Sequence, residues 1–334
     1  MRFALTAPRQ LKRNLLLCLA AIVALLAALA YLCLPPVADV KLARTDLRLA
    51  VWMGVTWSMD DHDARELRDL ADELLARDVG DAYIYLSYLK ADDRFNATYG
   101  QARIFVSQMK RLAPGVRLLA WIGVPVSIQR ADGTTNLNRL ASARIRDQIA
   151  QFSRFAVDEL GFDGIHLNAE MVASGDSRYL QSLEQIRGEL PPEAFLSVTA
   201  HPLRVTKPVS ALPYPALAHH WSQGYLQQVA ERVDQVVLMA YDSGLVFPRD
   251  YLYWVKYQTA ASQEALQNNG AELIIGLPSS EEWTPSHQTQ AETIRIALNG
   301  LQGGLSDRLD GIGIYPFWET DASEWRLIDL SLGR

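Results

Sequence analysis

The sequence contains very little cysteine. Its two cysteines, Cys18 and Cys33, both lie in an apolar run near the N-terminus, and the chain after Cys33 has none. A folded domain without cysteine forms no disulfide bond, carries no thiolate nucleophile and holds no cysteine-bound metal ion. Disulfide scaffolds, cysteine proteases and zinc fingers are therefore excluded for this part of the chain.

Several motifs of known enzyme classes are also missing. The sequence has no G-x-G-x-x-G and no G-x-x-x-x-G-K-[ST] segment, which nucleotide-binding proteins use to hold phosphate groups. It has neither an H-E-x-x-H zinc helix nor a G-x-S-x-G nucleophile turn. We therefore predict that the protein needs no organic cofactor and no metal ion.

Positive charge is scarce in the folded part of the chain. Residues 1–34 contain four basic residues and no acidic residue, so the remainder has 28 basic and 38 acidic residues, a formal charge of −10. Such a surface repels phosphate backbones, which argues against nucleic acid as a partner. A neutral or cationic ligand is favoured instead.

Residues 14–34 form an apolar run without charged residues. About 20 apolar residues suffice for a helix to cross the ~30 Å core of a bilayer. Basic residues precede the run, which predicts a short cytoplasmic segment at 1–13, a transmembrane signal anchor at 14–34 and a periplasmic or extracellular remainder. In the alternative, the run is a signal peptide cleaved near Ala28-Leu29-Ala30, and the protein is secreted.

After a linker at residues 35–46, apolar strand-like runs alternate with amphipathic helical segments through residue 334. Among the helical segments, 64–77 shows a regular leucine stripe. The predicted strands are 47–54, 81–88, 117–123, 164–168, 195–200, 235–241, 272–277 and 311–316. Eight strand–helix units in about 290 residues predict an α/β fold with a single (β/α)8 TIM barrel over 47–334. An open doubly wound sheet is the alternative, but the glycine-rich motifs of that fold are missing.

The C-terminal ends of barrel strands form the active site in this architecture. Here those ends are rich in aromatic residues, together with a few carboxylates. Aromatic faces stack on sugar rings, and polar side chains bind the sugar hydroxyl groups. The chemistry-bearing residues at these ends are Trp57, Tyr88, Trp121, Glu170, His201, Tyr241, Asp242, Trp283 and Trp318. We predict Trp121, Tyr88 and His201 among the substrate-binding residues.

The fourth predicted strand carries the most polar side chains. It reads Asp-Gly-Ile-His-Leu-Asn-Ala-Glu over residues 163–170. Alternation along a strand places His166, Asn168 and Glu170 on one face, pointing into the barrel. Unpaired buried polar groups cost about 1–3 kcal/mol each, so three in a row indicate a site rather than core filling. We expect Glu170 to be withdrawn from water and to serve as a general acid. The competing interpretation is that Glu170 pairs with an arginine and only caps the strand.

This strand resembles the D-G-x-D-x-D-x-E strand of glycoside hydrolase family 18, which includes chitinases and endo-β-N-acetylglucosaminidases. Three more segments agree in order and position. Residues 239–242, Met-Ala-Tyr-Asp, resemble the family's M-x-Y-D, and residues 276–278, Gly-Leu-Pro, resemble its G-[IVL]-P. Trp318 resembles the tryptophan that forms the floor under the cleaved sugar. The resemblance covers the predicted barrel from about residue 47 to the C-terminus.

The resemblance implies a role for each matching position. Glu170 would protonate the glycosidic oxygen, while the acetamido oxygen of the substrate itself attacks the anomeric carbon. Tyr241 would bind the acetamido group, and Asp242 a polar atom of the sugar. The implied activity is retaining, substrate-assisted hydrolysis of a poly- or oligosaccharide that contains N-acetylhexosamine. Asp163 is structural in this comparison.

The strand departs from the family pattern at its two middle aspartates, which are His166 and Asn168 here. Asn168 keeps the hydrogen bonding of the second aspartate and loses its charge, as in the N-x-E of the related family-85 endo-β-N-acetylglucosaminidases. His166 could orient Asn168, bring a positive charge near Glu170, or contact the sugar. The departures leave two other hypotheses: a catalytically inactive glycan-binding or envelope-scaffold barrel, and a hydrolase with two ordinary catalytic carboxylates.

A second cluster of possible ligands follows the first predicted strand at residues 60–63, Asp-Asp-His-Asp. Its density of carboxylates suggests a metal site. The same residues also suit the N-terminus of the next helix, because acidic side chains cap free backbone N–H groups there and favour the helix dipole. We predict the helix cap.

Overall fold

The computed structural model describes residues 9–34, 38–129, 135–136, 138–206, 214 and 219–334. Eight parallel strands form a closed barrel in which each strand pairs with its neighbours in chain order and the last pairs with the first. The strands are β1 (Arg48–Met53), β2 (Val79–Tyr88), β3 (Arg117–Pro125), β4 (Gly164–Glu170), β5 (Phe195–Ala200), β6 (Gln235–Met239), β7 (Glu272–Pro278) and β8 (Gly311–Tyr315). The predicted TIM barrel is confirmed.

Helices alternate with the strands and cover the outside of the barrel. The described helices are α1 (Arg9–Cys33), α2 (Thr56–Met59), α3 (Ala64–Ala76), α4 (Gly100–Leu112), α5 (Ala143–Asp158), α6 (Ser177–Glu189), α7 (Gln223–Ala230), α8 (Pro248–Ala265), α9 (Ile294–Gly304) and α10 (Ala322–Leu332). Helix α8 begins at Pro248, because proline suits the first turn of a helix, where its missing N–H costs nothing. A short antiparallel pair, Ile128–Gln129 with Thr135–Asn136, follows β3.

The two faces of each strand bury different cores. Ile165, Leu167 and Ala169 face the helices in the main hydrophobic cluster, as their alternation predicts. A smaller cluster fills the barrel interior, and its members are Ala50, Trp52, Tyr83, Leu119, Val237 and Ile274. These side chains fill the barrel interior below the polar residues at the strand ends.

The base of the barrel is closed by a network of charged and polar side chains. Asp81 forms an ion pair with Arg48 at 2.9 Å and lies 3.5 Å from Arg117. Gln235 donates to Asp81 at 2.8 Å and to Glu272 at 2.9 Å. Burial raises the pKa of Asp81, and the two arginines oppose that shift.

Asp163 and Gly164 secure the start of β4. The Asp163 carboxylate accepts a hydrogen bond from the Leu118 N–H at 2.8 Å and forms an ion pair with Lys110 at 2.6 Å. A Cβ atom at Gly164 would lie 1.9 Å from the Phe195 carbonyl oxygen, so only glycine allows the two strands to approach. The structural role of Asp163 is confirmed, and its contacts fix the register of the strand that carries the site.

Helix α1 precedes the barrel and is apolar along most of its length. Its segment Arg13–Cys33 is long and apolar enough to cross a membrane, and none of it is buried against the rest of the chain. A signal sequence near the N-terminus would have the same properties. The predicted divisions at residues 13, 34 and 46 stay predictions, and residues 1–8 and 35–37 lie outside the described part of the chain.

Candidate active site

A column of hydrogen bonds in the barrel interior fixes the position of His166. The Trp52 indole N–H donates to His166 Nε2 at 3.1 Å, and His166 Nδ1 lies 2.8 Å from Ser197 Oγ. The Ser197 hydroxyl donates to Gln235 Oε1 at 2.7 Å. Because Nε2 accepts and the serine proton is used elsewhere, Nδ1 carries the single proton of a neutral imidazole. Burial lowers the pKa of His166 to about 3, in agreement with this tautomer.

His166 is therefore part of the support beneath the site. Its ring is fully buried and stacks on Tyr83 with ring centres 3.9 Å apart. Both of its nitrogens are used inside the barrel, so neither is left for a sugar, and a neutral ring brings no positive charge to Glu170. The structure thus contradicts the sugar contact and the nearby charge considered from sequence. The same two contacts leave no ring nitrogen to orient Asn168, whose side chain bonds to Thr199 and Glu170 instead.

Asn168 connects the wall of the barrel to Glu170. Its Oδ1 accepts a hydrogen bond from the Thr199 hydroxyl at 2.8 Å, and its Nδ2 donates to Glu170 Oε1 at 2.8 Å. Asn168 is buried, whereas Glu170 ends β4 and is exposed. The expected withdrawal of Glu170 from water is not found, because Glu170 is the last residue of β4 and its side chain is exposed at the barrel mouth. Glu170 Oε2 makes no hydrogen bond to the described residues.

Tyr241 lies against the aromatic residues at the top of the barrel. Its ring stacks on Tyr315 with centres 5.2 Å apart and meets Trp52 edge to face at 6.3 Å. Tyr315 in turn contacts Trp318, a half-exposed residue, with ring centres 6.0 Å apart. Burial is the main cause that raises the pKa of Tyr241, and of Tyr315 to about 12, so both hydroxyl groups are protonated. The Tyr241 hydroxyl has no hydrogen-bond partner within the described chain.

Gly54 makes room for Trp318. A Cβ atom at residue 54 would lie 3.2 Å from the six-membered ring of Trp318. The tryptophan belongs to a short 3₁₀ turn, Phe317–Glu319, that follows the cis Tyr315–Pro316 peptide bond. This local arrangement holds the exposed indole at the mouth beside β1 and β8, and its assignment to the sugar site stays a prediction.

Asp242 follows Tyr241 at the mouth and has a left-handed backbone conformation, with φ of 55°. Its N–H donates to Glu292 Oε2 at 2.8 Å, and the next N–H, of Ser243, donates to Glu292 Oε1 at 2.9 Å. The Ser243 hydroxyl donates to the same Oε1 at 2.6 Å. Glu292 thus fixes the backbone that carries Asp242, because a buried carboxylate compensates the cost of an unusual backbone angle with three hydrogen bonds.

His287 completes this arrangement from the loop after β7. Its Nδ1 lies 3.1 Å from Glu292 Oε2, and its Nε2 lies 3.0 Å from the Ser280 carbonyl oxygen. Both neighbours are acceptors, so the geometry suits an imidazolium that donates from both nitrogens. The hydrogen bond to Glu292 raises the pKa of His287, which lies 3.8 Å from the Asp242 carboxylate. Partial burial and the charge of Glu292 raise the pKa of Asp242, and His287 opposes that shift.

Asp242, His287 and Glu292 have ligand atoms within 4.8 Å of one another, the spacing of a metal site. Their hydrogen bonds do not suit a cation. Glu292 accepts from three donors of residues 242 and 243 and from His287, which uses the four lone-pair directions of a carboxylate. An imidazolium also offers no lone pair to a metal. The cluster is better described as a support for Asp242.

A cavity of about 340 Å³ opens beside these residues. Glu170, Tyr241 and Asp242 line it, together with His201, His219 and His220. The structure therefore brings together Glu170, Tyr241 and Asp242, with Asn168 directly below Glu170. A small adjoining cavity of about 130 Å³ extends between Tyr241, Tyr315 and His287.

The other predicted substrate contacts are more dispersed. His201 lines the cavity, but its Nε2 accepts the Val172 N–H at 3.1 Å, and burial lowers its pKa to about 3. Trp121 lies against Tyr315, and its buried indole N–H lacks a partner among the described residues. Tyr88 is exposed at the end of β2. Neither Trp121 nor Tyr88 lines the large cavity, so their assignment to the substrate stays a prediction.

The acidic cluster after β1 caps a helix. Asp63 Oδ1 accepts the N–H groups of Arg65 at 2.7 Å and Glu66 at 2.9 Å, and the Glu66 carboxylate accepts the Asp63 N–H. These backbone hydrogen bonds lower the pKa of Asp63. The predicted helix cap is confirmed.

Sequence reasoning did not find His287, Glu292 or Tyr315. The first two lie in an irregular loop that has neither periodicity nor a motif, and the closed barrel alone brings them to Asp242, about 45 to 50 positions earlier. Tyr315 lies in the predicted eighth strand, where the barrel rule for strand ends could have identified it.

Comparisons with known proteins support the same architecture. A scan against protein-family models gives no match, and a search of curated protein sequences gives none either. Among solved structures, a class V chitinase from Pseudomonas fluorescens aligns with a TM-score of 0.57 at 13% identity, covering 86% of this chain and 99% of the chitinase. The Group IV chitinase of Ostrinia furnacalis aligns with a TM-score of 0.57 at 14% identity, over 86% and 100% of the two chains.

The spore cortex-lytic enzyme SleL of Bacillus cereus also aligns, with a TM-score of 0.55 at 13% identity, over 89% of this chain and 76% of SleL. At such low identity these neighbours describe the fold. The chain accordingly has a barrel like that of the family 18 glycoside hydrolases, in agreement with the resemblance of its strand motifs.

Proposed function

We propose that the protein is a glycoside hydrolase that cleaves a glycan containing N-acetylhexosamine, with Glu170 as the general acid. The observation that carries this proposal is the hydrogen bond from Asn168 to Glu170 beside Tyr241 and Asp242 at one cavity. The chitinase and SleL neighbours, which share the fold, make a carbohydrate substrate the natural choice. The acidic surface also favours a neutral glycan over a polyanion.

The site suits substrate-assisted cleavage. Glu170 Oε1 is held by Asn168, which leaves Oε2 to carry the proton that passes to the glycosidic oxygen as the C–O bond breaks. The acetamido oxygen of the substrate attacks the anomeric carbon and forms an oxazolinium ion, and water then opens this ion while the Glu170 carboxylate takes back a proton. The free hydroxyl group of Tyr241 is available to donate to the acetamido group.

Asn168 provides no negative charge for the developing oxazolinium ion. Among the described residues that line the large cavity, Asp242 is the acidic side chain besides Glu170. We assign Asp242 the task of offsetting positive charge at the acetamido group, in the position that Glu292 and His287 give it. A hydrogen bond from Asn168 to Glu170 in place of two adjacent carboxylates also keeps like charges apart.

We further propose that α1 stays attached and spans a membrane, with the barrel on the periplasmic or extracellular side. Its apolar length and the preceding basic residues support this location. Secretion after cleavage is the alternative. The mass of the protein, measured in both the membrane and the soluble fraction, distinguishes the two, because cleavage near residue 30 would remove α1 and release the barrel.

The function is tested by replacing Glu170 with glutamine. Wild type, Glu170→Gln and the matched control Glu193→Gln would be assayed on fluorogenic glycosides of N-acetylglucosamine and chitobiose. Glu193 is exposed in the turn before β5, at the base of the barrel, so its amide variant should behave as wild type. We expect activity in wild type and the control, and its loss in Glu170→Gln. Equal activity in all three proteins would refute the role of Glu170.

A glycan-binding barrel without activity is the second candidate, and the uncharged Asn168 is the observation that favours it. Binding of N-acetylglucosamine oligomers on a glycan array without hydrolysis by wild type would support it over the hydrolase. Binding that is lost in Tyr241→Phe would place the ligand in the same cavity.

A further inference from the structure

The C-terminal end of α1 contacts the barrel near its mouth. Arg249 Nε donates to the Tyr31 carbonyl oxygen at 2.6 Å, and the Arg249 guanidinium lies 3.9 Å from the centre of the Tyr31 ring. The hydroxyl groups of Tyr31 and Tyr253 are 3.1 Å apart. Arg249 and Tyr253 belong to the first two turns of α8, which follows the C-terminal end of β6. These turns lie at the same end of the barrel as the cavity.

The chain that follows α1 then descends towards the base. Asn299 donates to the Ala38 carbonyl at 3.3 Å, the Ala43 N–H donates to Gln302 at 2.8 Å, and Arg44 reaches the Asp307 carbonyl at 2.8 Å. Helix α9 runs from the mouth to the base, because it follows β7. Residues 38–44 accordingly pass down its side to the start of β1. The apolar helix is thus joined to the barrel at the mouth end.

Helix α1 separates from the barrel beyond this contact. None of Arg13–Cys33 is buried, so a bilayer that holds the helix begins close to Tyr31. At 1.5 Å per residue, the last turn of α1 spans only about 5 Å. The part of the barrel nearest to the lipid is therefore the side of the mouth made by the loops after β6 and β7, which are joined by a hydrogen bond from Gly244 N–H to the Ser286 carbonyl at 2.7 Å.

The exposed side chains on this side suit the headgroup layer of a membrane. Val246, Tyr253 and Trp283 are 45%, 42% and 60% exposed there. Tryptophan and tyrosine are enriched at membrane interfaces, where an apolar ring and a polar tip are both accommodated. Glu281 and Glu282 adjoin Trp283, which favours zwitterionic headgroups over anionic ones.

We propose that the barrel mouth faces the surface of the bilayer that holds α1, with the loops after β6 and β7 against the headgroups. The inference rests on the proposed retention of α1, and it adds a constraint on the substrate. A glycan that reaches the cavity between Glu170 and Asp242 would be taken at the membrane surface, as a lipid-attached chain or a polymer that lies along the bilayer.

The test uses the full chain in phosphatidylcholine vesicles, with Cys18 and Cys33 replaced by serine. A single cysteine is introduced by Val246→Cys at the mouth or by Asp307→Cys at the base, and each is labelled with a fluorophore. Asp307 is exposed, as the control requires. Headgroup spin-labelled lipid should quench the label at 246 several-fold more than the label at 307. Arg249→Ala, which removes the hydrogen bond to Tyr31, should reduce this difference.

Each outcome bears on the proposal. Equal quenching at the two positions in protein that floats with the vesicles would overturn the inference while the anchor stands. Protein that does not float with the vesicles would overturn both the anchor and the inference. Neither result affects the test of Glu170 on soluble glycosides, so failure of the membrane geometry and failure of the hydrolase are distinguished.

Discussion

Replacement of Glu292 by glutamine should loosen the backbone that carries Asp242. The Glu292 side chain is fully buried, and its two oxygens accept from the N–H groups of residues 242 and 243, the Ser243 hydroxyl and His287. A glutamine amide has one oxygen and one NH₂ group. In either orientation two of these four donors face the NH₂ group, and His287 loses the negative charge that pairs with it.

The magnitude follows from these contacts. Each buried donor left without an acceptor costs about 1–3 kcal/mol, and removal of one partner of a buried ion pair costs about 3–5 kcal/mol. His287 is both one of the donors that lose an acceptor and the partner in the broken ion pair, so the two costs are not added. We expect a total loss of about 3–5 kcal/mol in the free energy of unfolding. For a barrel of this size the melting temperature should fall by roughly 10 °C.

Thermal and urea unfolding of the variant would be compared with wild type and with Glu193→Gln, an exposed glutamate in none of the hydrogen bonds or ion pairs of the described chain. A loss below about 1 kcal/mol, which is the effect of an ordinary surface change, would refute the reasoning. Hydrolysis should also fall in Glu292→Gln at temperatures where the variant is folded, since Asp242 is no longer held in place.

Three further predictions concern the same site. Tyr241→Phe should remain as stable as wild type, since the Tyr241 hydroxyl is unpaired in the described chain. Its kcat should fall by about 10²–10³-fold, as when one transition-state donor is removed. A change in KM alone would contradict this role. Trp318→Ala should raise KM roughly two- to ten-fold through lost stacking, with kcat retained; unchanged KM would remove Trp318 from the sugar site. The pKa of His287 is raised in the folded state, so its stabilisation is complete below the unfolded value of about 6.5 and is lost as pH rises through the folded value. The difference in melting temperature between wild type and His287→Gln should therefore shrink towards alkaline pH, and a difference that grows would refute the imidazolium.

The features predicted correctly from the sequence are those that depend on residues close together in the chain. Alternation with a period of two is a property of the strand itself, so it correctly placed His166 and Asn168 inside the barrel and Ile165 and Leu167 outside. The helix cap at Asp63 was equally predictable, because a cap depends on residues within one turn.

Long-range contacts explain what the sequence did not predict. The partners of His166 come from β1, β2 and β5, and these contacts make the ring neutral and inaccessible. The residues that hold Asp242 (His287 and Glu292) come from the irregular loop after β7, which has no sequence pattern from which to predict them. The exposure of Glu170 depends on where β4 ends relative to the barrel mouth, and strand ends are set by pairing with neighbours rather than by local composition.

The most direct test of the central claim is whether hydrolysis depends on the acetamido group of the substrate. Wild type would be assayed on two aryl β-glycosides, the chitobioside and the cellobioside, which differ only in the group at carbon 2 of each sugar. Because no enzyme carboxylate acts as the nucleophile in the proposed mechanism, we expect hydrolysis of the chitobioside alone. Hydrolysis of both at similar rates would contradict the account and would require a second catalytic carboxylate.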